Sequence, residues 1–360
     1  MPVRPRGRSL ALLSAALLLL PILVLHAQAS ASTEVDRLVA EALEKNPELR
    51  AARDLASAAR ERVRPAGALP DPMVSLSYEN DGTAFSLGEM EMTRLSLMAE
   101  QQLPFPGKLR LAEEIATKDA ERAATLPDRA VLSLTGAVRR AYAGLLEARE
   151  NLRLVEEQLS TWKGIEEVSR ARYAAGLATQ QDVLRAQAER TRLAQQREAD
   201  RAAEETALSE VRQLLYRPAD APVPTEARLV PGELLLVPST RESIARALEA
   251  TPELREAALA KERERLGADL ARRNLKPDFV ASAGYMNRGS LPLMWSASVG
   301  VTVPLWAGRK QRPLIAEAER LTSAAAATEA SLRRLVEALT EERLVRLRRL
   351  AAEARLDAEG

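Results

Sequence analysis

Segments in which every second residue is apolar predict four short β-strands. The first two occupy about residues 72–80 and 93–103, and the other two begin near residues 279 and 295. Small polar residues, mostly serine, fill the intervening positions, so each strand has one apolar face. The residues predicted on that apolar, lipid-facing side are Val74, Leu76, Tyr78, Leu95, Leu97, Phe279, Tyr285, Trp295 and Val299. Strands of about 9 to 11 residues with this alternation have the length that crosses a membrane.

A sheet with one apolar face needs a second surface to cover it. In a soluble protein, one face of an antiparallel sheet packs on a core and the other faces water. Four strands are too few to close a barrel, so two arrangements stay open. Either the helices of the same chain cover the apolar face, or several chains contribute strands to one closed wall. Three chains with four strands each would give twelve strands.

Between the two pairs of strands, the spacing of apolar residues predicts a long helical hairpin over about 108–216. Pro127 predicts a kink or a new helix start within it. Beyond that proline, apolar residues recur at alternating intervals of four and three, which is the spacing of a coiled-coil seam. The seam residues are Leu134, Val138, Ala141, Leu145, Ala148, Leu152, Val155, Leu159 and Trp162. At ~1.5 Å per residue, the stretch from 108 to 175 would be about 100 Å long.

The sequence RYAAGLATQQDVLRAQ, residues 172–187, predicts the turn between the two helices of this hairpin. Gly176 is placed to adopt the left-handed conformation that ends the first helix. Thr179 and Asp182 form a T-x-x-D capping box that starts the second. Leu177 therefore lies at the tip, where either a partner docks on this apolar side chain or it packs back onto its own helices.

The chain contains an internal duplication. ALEKNPELRAA at 42–52 matches ALEATPELREA at 247–257 in eight of eleven positions. Two further pairs of segments follow in the same order: LPDPMVSLSY from Leu69 with LKPDFVASAGY from Leu275, and LPFPGK from Leu103 with VPLWAGRK from Val303. Each copy predicts the order helix, strand, strand, helix. In each copy a capping residue, Asn46 or Thr251, precedes a proline and predicts a new helix start.

These patterns predict a mainly α fold with a small β part. A first structural repeat covers residues 30–216, a proline-rich linker 217–238 and a second repeat 239–360. Residues 1–29 predict a secretory signal peptide, because arginines precede an apolar run over 10–25 and small residues, Ala27-Gln28-Ala29, end it. The alternative is a membrane-spanning helix, but the run is shorter than the ~20 residues that a span requires.

The charge balance and composition exclude several classes of function. Without the signal peptide the chain has 49 basic and 51 acidic residues, which predicts no bulk attraction to nucleic acid or anionic lipid. The chain contains no cysteine, and its only histidine, His26, lies in the predicted signal peptide. A thiolate or imidazole metal site, a Ser-His-Asp triad and a cysteine nucleophile are therefore excluded.

We predict no catalytic residues, no cofactor and no resident metal ion. A carboxylate-dependent periplasmic hydrolase is the enzyme alternative, although nothing in the sequence marks its site. Methionines cluster around the first strand pair, at Met73, Met90, Met92 and Met98. Thioethers bind soft Cu(I) or Ag(I), but methionine more often serves as flexible apolar filler.

From about Ser32 onward, the tip sequence, the LPFPGK segment and the duplicated order resemble the outer-membrane efflux protein (TolC) family. The tip residues that match the family pattern are Arg172, Tyr173, Gly176, Asp182, Leu184, Ala186 and Gln187. The resemblance implies a homotrimer with a twelve-stranded β-barrel in the outer membrane and a helical tunnel across the periplasm. It implies a passive exit duct of a tripartite efflux or type I secretion-like system. The first strand pair is similar to members that serve RND-type heavy-metal exporters; multidrug export is the other substrate class.

The resemblance also implies partners. A periplasmic adaptor, or membrane fusion protein, would contact the hairpin tip and link the duct to an inner-membrane pump. The residues implied at this contact are Tyr173, Gly176, Leu177, Ala178, Thr179 and Asp182. The counterpart of Gly176 in the second repeat would fall near position 376, so we expect that repeat to be truncated before its own tip, which puts a working channel in doubt. The alternative function is a soluble periplasmic coiled-coil scaffold, or an adaptor-binding protein without a pore.

Overall fold

A computed structural model describes residues 34–81, 83, 85–86, 92–223 and 237–359. The predicted signal peptide, Met90 and most of the proline-rich linker lie outside these residues. The first helix, α1, is described over residues 34–45. The other helices are α2 (Pro47–Glu61), α3 (Val63–Gly67), α4 (Lys108–Ala123), α5 (Leu126–Ala174), α6 (Gln180–Leu214), α7 (Thr240–Ala250), α8 (Pro252–Arg273) and α9 (Gln311–Glu359). The strands are β1 (Met73–Glu79), β2 (Arg94–Leu103), β3 (Asp278–Asn287) and β4 (Met294–Thr302).

The element order confirms the mainly α fold with a duplicated helix, strand, strand, helix unit. The first two strands lie within one residue of the predicted limits at both ends. Pro127 marks a new helix start, since α4 ends at Ala123 and α5 begins at Leu126. The predicted hairpin therefore has two separate helices before its turn.

The helix starts at the two prolines differ in their capping. Asn46 caps α2, because its side-chain Oδ1 accepts a hydrogen bond of 2.7 Å from the backbone N–H of Leu49. The predicted helix start at Thr251 is confirmed, since Thr251 is the N-cap residue of α8, but its side chain makes no capping bond to this helix. Its hydroxyl instead donates to the carbonyl oxygen of Ala247 at 2.5 Å, a local side-chain to backbone bond that directs the side chain towards the last turn of α7.

The chain divides into two compact units, and the described residues of the first are 34–50, 130–223 and 351–359. Its apolar core joins one face of α1 to the beginning of α5 and the end of α6. The buried core residues are Leu38, Val39, Ala42, Leu134, Val138, Ala141, Tyr142, Leu145, Val211, Leu215 and Val223. Leu145 and Leu215 are fully buried, and each buried leucine contributes about 1.5–3 kcal/mol. Val223 brings the start of the linker into this core.

The second unit, with described residues 51–81, 83, 85–86, 92–129 and 237–350, contains the strands. They form one antiparallel sheet in the order β1-β2-β3-β4. The helices of this unit are joined by ion pairs between exposed or half-buried side chains. Lys118 pairs with Glu262 at 3.0 Å, and Arg272 pairs with Glu319 at 2.8 Å.

Among the described helices, none combines the length and the hydropathy needed to cross a membrane.

Candidate functional site: the hairpin tip and the sheet

The turn between α5 and α6 is closed by a glycine in the left-handed region. Gly176 has a φ of 75°, which side chains with a Cβ rarely adopt. Its N–H donates to the carbonyl oxygen of Tyr173 at 2.9 Å, and the N–H of Leu177 donates to that of Arg172 at 2.8 Å. This pair of bonds is the Schellman motif. The structure thus confirms Gly176 as the residue that ends the first helix of the hairpin.

A reciprocal capping box starts α6. The N–H of Thr179 donates to the carboxylate of Asp182 at 2.9 Å, and the N–H of Asp182 donates to the hydroxyl of Thr179 at 3.3 Å. The Thr179 hydroxyl also donates to this carboxylate at 2.7 Å. The hydrogen bonds from Thr179 lower the pKa of Asp182 below its usual range, so the box keeps its negative charge at neutral pH. The predicted box is confirmed, and only three residues, Gly176, Leu177 and Ala178, lie between it and Ala175.

Apolar side chains are exposed on this tip. Leu177 is 69% exposed and Tyr173 is 49% exposed, so Leu177 does not pack back onto the helices of its own hairpin. Further down the same hairpin, Val168 and Leu184 are also more than half exposed. The structure therefore brings the predicted tip residues together as a small apolar surface beside a charged capping box.

Below the tip, a buried carboxylate joins the two helices of the hairpin. Glu166 on α5 is 2% exposed, and its two oxygens lie 2.7 Å from the guanidinium groups of Arg170 and Arg190. Gln187 on α6 donates to the same carboxylate at 3.2 Å. Since Arg190 and Gln187 belong to the opposite helix, these contacts hold α5 and α6 in one register close to the turn.

One face of the sheet carries a row of large apolar side chains across all four strands. Leu76 lies opposite Leu97, Leu97 opposite Tyr285, and Tyr285 opposite Trp295. Trp295 is 79% exposed and Val299 is 78% exposed. All nine residues predicted on the apolar face do share it, because residues paired across antiparallel strands lie on the same side. Leu95 and Phe279 are half-buried, and the others are exposed.

The opposite face of the sheet carries mostly serines, glycines and methionines, with charged residues such as Glu79, Arg94 and Glu100 among them. Ser282 and Ser298 lie opposite each other, and their hydroxyl oxygens are 2.7 Å apart. The register also places Met73, Met98, Met286 and Met294 on this serine face. Among the described residues, no group of three acidic, histidine or cysteine side chains is arranged to hold a metal ion.

A charged contact joins the end of β2 to the start of β3. The amino group of Lys108 lies 2.8 Å from the carboxylate of Asp278 and donates to the carbonyl oxygen of Lys276 at 3.0 Å. The backbone N–H of Phe105 donates to the same carboxylate at 2.7 Å. Lys108 is buried, so this pair anchors the point where the second strand passes into α4.

Residues 38–216 match the family model for outer membrane efflux protein. This match spans both strands of the first repeat and the whole hairpin with its tip. The chain belongs to the outer membrane efflux protein family. No curated protein matches it in sequence.

Solved structures of outer-membrane channels share the fold of this outer membrane efflux protein. Crystal structures of CusC, determined to follow folding and transmembrane channel formation, match with a TM-score of 0.72 and 17% identity, over 91% of this chain and 78% of CusC. The outer membrane protein VceC from Vibrio cholerae matches with a TM-score of 0.73 and 20% identity, over 91% of this chain and 81% of VceC. The outer-membrane channel OprN matches with a TM-score of 0.71 and 21% identity, over 90% of this chain and 77% of OprN. The long helices with a small antiparallel sheet are thus the fold of these channels.

Two parts of this efflux-family structure were not predicted from the sequence. Glu166 lies four residues after Trp162, at the next position of the predicted seam, where a charged residue does not fit an apolar pattern. The continued spacing could have identified it. The pair of Lys108 and Asp278 joins residues 170 positions apart, and no local pattern indicates that contact.

Proposed function

We propose that three copies of this chain form the outer-membrane exit duct of a tripartite efflux system or a type I secretion-like system. The strands of three copies would close a twelve-stranded barrel in the outer membrane, and the helices would form a tunnel in the periplasm. A periplasmic adaptor would bind the hairpin tips and connect the duct to an inner-membrane pump. The duct conducts passively, and the pump supplies direction and energy.

The observation that carries this proposal is the four-stranded sheet with one exposed apolar face and two open edges. The row Leu76, Leu97, Tyr285 and Trp295 places large apolar side chains at the surface of the described chain. Open edges with unpaired backbone groups and a broad apolar face are both unfavourable in water. Lipid covers such a face in an outer-membrane barrel, and closure removes the edges.

The opposite face has the composition expected for the inside of such a barrel. Serine and methionine side chains and two glycines, Gly284 and Gly300, occupy most of it, and the hydroxyls of Ser282 and Ser298 are in contact. Small polar residues leave room for water and solutes, whereas bulky apolar residues would fill the interior. This asymmetry between the two faces supports a duct over a sheet that packs on a core.

The tip supports the proposed adaptor contact. Leu177 and Tyr173 expose apolar surface to water, and a partner that covers this surface would remove an unfavourable contact with water. The Schellman motif and the capping box hold this surface in one conformation, so binding costs little conformational entropy. Exposed apolar residues at a rigid helical turn suit a partner that is itself helical.

The first test is fractionation of cells that express the full chain. We expect the protein to sediment with outer membranes and to be extracted only by detergent, as a trimer. Release by osmotic shock as a monomer would contradict the duct and would support a periplasmic scaffold without a pore.

The second test places charges at the tip. In the variant L177D/T179D, the aspartate at 179 still caps α6, since aspartate is as good an N-cap as threonine. We expect the trimer to assemble normally, while adaptor crosslinking and export are lost. The control is L154D, which changes an exposed leucine within α5, about 30 Å along the helix from the tip. If export and adaptor crosslinking both survive in L177D/T179D, the tip is not the adaptor site.

A further inference from the structure

The internal duplication makes the strands of the two repeats equivalent residue by residue. Residues 69–78 align with 276–285 without a gap, so β1 corresponds to β3 at a fixed offset. The identical residues are Pro70, Asp71, Ser75 and Tyr78 in the first copy and Pro277, Asp278, Ser282 and Tyr285 in the second. Strands β2 and β4 align in the same way, with Ser96 and Pro104 recurring as Ser296 and Pro304.

The two hairpins of the sheet pair in the same register under this alignment. Leu76 lies opposite Leu97 in the first hairpin. Their equivalents, Ala283 and Ala297, lie opposite each other in the second. The duplication is therefore preserved in the hydrogen-bonded pairing as well as in the sequence.

The contact between β2 and β3, which joins the two β-hairpins, has an equivalent in the repeat that does not form within one chain. Inside the chain, the end of β2 pairs with the start of β3, and the ion pair of Lys108 with Asp278 follows immediately. By the alignment, the equivalent ends are those of β4 and β1, and the equivalent charges are Lys310 and Asp71. These two strands are the outer edges of the sheet, so they cannot pair with each other within it.

The two equivalent charged side chains are at the surface of the chain, where a second copy can reach them. Lys310 and Asp71 are exposed, and within the described part of the chain neither forms an ion pair. Their counterpart Lys108 is buried against Asp278. The same pair of residue types is thus satisfied at the inner junction and unsatisfied at the two outer edges.

We propose that Lys310 of one copy pairs with Asp71 of the next copy, and that β4 and β1 join in the register of β2 and β3. This inference rests on the proposed trimeric duct and adds the contact that closes it. In that register Val301 faces Val74 of the next copy, and Val299 faces its Leu76. The apolar face then continues without interruption from one copy to the next.

The proposed register also satisfies the geometry of closure. The row that starts at Leu76 ends at Trp295, and Trp295 would face Asn80 of the next copy, four residues beyond Leu76. Following one row of paired residues around the whole barrel therefore gives an offset of three times four, or twelve, residues along the strand. This offset is the stagger of the barrel, and here it equals the number of strands. Barrels whose strand number equals their stagger have strands tilted by about 36°, within the usual range for barrels.

The loop before Lys310 is two residues longer than the loop before Lys108. Two tight turns take up the added length: the N–H of Ala307 donates to Pro304 at 3.2 Å, and that of Arg309 donates to Trp306 at 2.9 Å. Lys310 therefore still lies directly before its helix, α9, as Lys108 stands at the start of α4.

The register can be tested by disulfide formation between copies, because the chain has no cysteine of its own. The variant V299C/L76C is oxidised in outer membranes and analysed on a denaturing gel without reductant. We expect covalent dimers and trimers, since directly opposite residues have the spacing that a disulfide requires. The control V299C/V74C shifts one cysteine by two residues and should give few or none.

The ion pair can be tested by charge reversal in the full chain. We expect D71K and K310D each to lower the ratio of trimer to monomer after mild heating in detergent. The double variant D71K/K310D should restore it, with a coupling of about threefold to tenfold, as for partly exposed ion pairs. The matched control D71K/R309D reverses the neighbouring cation and should show no restoration.

The outcomes separate the inference from the function on which it rests. Covalent trimers in V299C/L76C without coupling between positions 71 and 310 would overturn the ion pair and leave the trimeric duct intact. Covalent trimers only in V299C/V74C would overturn the register. A protein that stays monomeric in every variant, including the unaltered chain, would overturn the trimer and the inference together.

Discussion

Glu41 on α1 and Arg217 after α6 form two hydrogen bonds in parallel, from Nε at 2.9 Å and from a terminal nitrogen of the guanidinium at 2.6 Å. Both side chains are largely buried, and Arg217 also donates to the carbonyl oxygen of Pro222 at 2.7 Å. The pair therefore ties the first described helix to the segment that follows the hairpin.

This pair predicts an acid-sensitive contribution to stability. Hydrogen bonds from Arg217, partly opposed by burial, and from Lys45 lower the pKa of Glu41 from 4.5 to about 2. Because the folded-state pKa is depressed, the stabilisation is complete above about pH 4.5 and is lost as the pH falls towards 2. We expect E41Q to lower the free energy of unfolding by about 1–2 kcal/mol at pH 7 and by progressively less below pH 4.

The measurement is urea unfolding of the purified chain, followed by circular dichroism between pH 3 and pH 7. The control is E44Q, one turn away on the exposed side of α1, which should change the unfolding midpoint little at any pH. A destabilisation by E41Q that is equal at pH 3 and pH 7 would contradict the assignment.

The left-handed backbone conformation of Gly176 predicts that a larger residue at this position destabilises the protein even without a steric clash. A Cβ at this position would meet no atom within 4 Å, but the φ of 75° is unfavourable for alanine. We expect G176A to destabilise the hairpin by about 1 kcal/mol, and G176N by less, because asparagine tolerates the left-handed region.

Gly164, in the middle of α5, provides a control of opposite sign. It also has open space around a Cβ and lacks a positive φ, so G164A should stabilise the helix by about 0.5–1 kcal/mol. Thermal unfolding of the three variants measures both effects. Equal shifts for G176A and G164A would show that the backbone conformation at the tip does not matter.

Glu166 predicts a local weakening of the hairpin near its tip. Removing the carboxylate in E166A leaves Arg190 and Gln187 without their partner on α5, and we expect a loss of about 2 kcal/mol. Amide hydrogen exchange should accelerate in the last turns of α5 and the first turns of α6. The control E167Q changes the adjacent residue, which is exposed, and should leave exchange unchanged. Protection that persists around the tip in E166A would show that the apolar seam alone holds the register.

The two faces of β1 are expected to respond differently when a charged residue is introduced. Leu76 lies on the apolar face and Ser75 on the serine face. In the proposed barrel, arginine in L76R would face lipid and cost about 2–4 kcal/mol near the centre of the membrane. We expect L76R to reduce the amount of trimer in outer membranes severalfold and S75R to have a small effect, as measured by quantitative gel analysis of membrane fractions. A similar yield for both variants would mean that lipid does not cover this face.

Sequence patterns predicted the local parts of this fold well. The strands, the break at Pro127, the Schellman turn at Gly176 and the capping box of Thr179 with Asp182 depend on contacts within a few residues, so their patterns are visible in one short segment. Thr251 also marks a helix start as predicted, but its side chain does not cap α8 and its hydroxyl donates to the nearby carbonyl oxygen of Ala247.

The sequence by itself determined which elements form, which face of each strand is apolar and how the hairpin turns. Only the tertiary structure decided that β2 pairs with β3, that Leu177 is exposed, and that Glu166 and Asp278 find their basic partners. Those outcomes depend on which distant segments meet, and Lys108 and Asp278 are separated by 170 residues. A local pattern sets conformation through neighbouring atoms, whereas such pairings are chosen by the free energy of the whole packed chain.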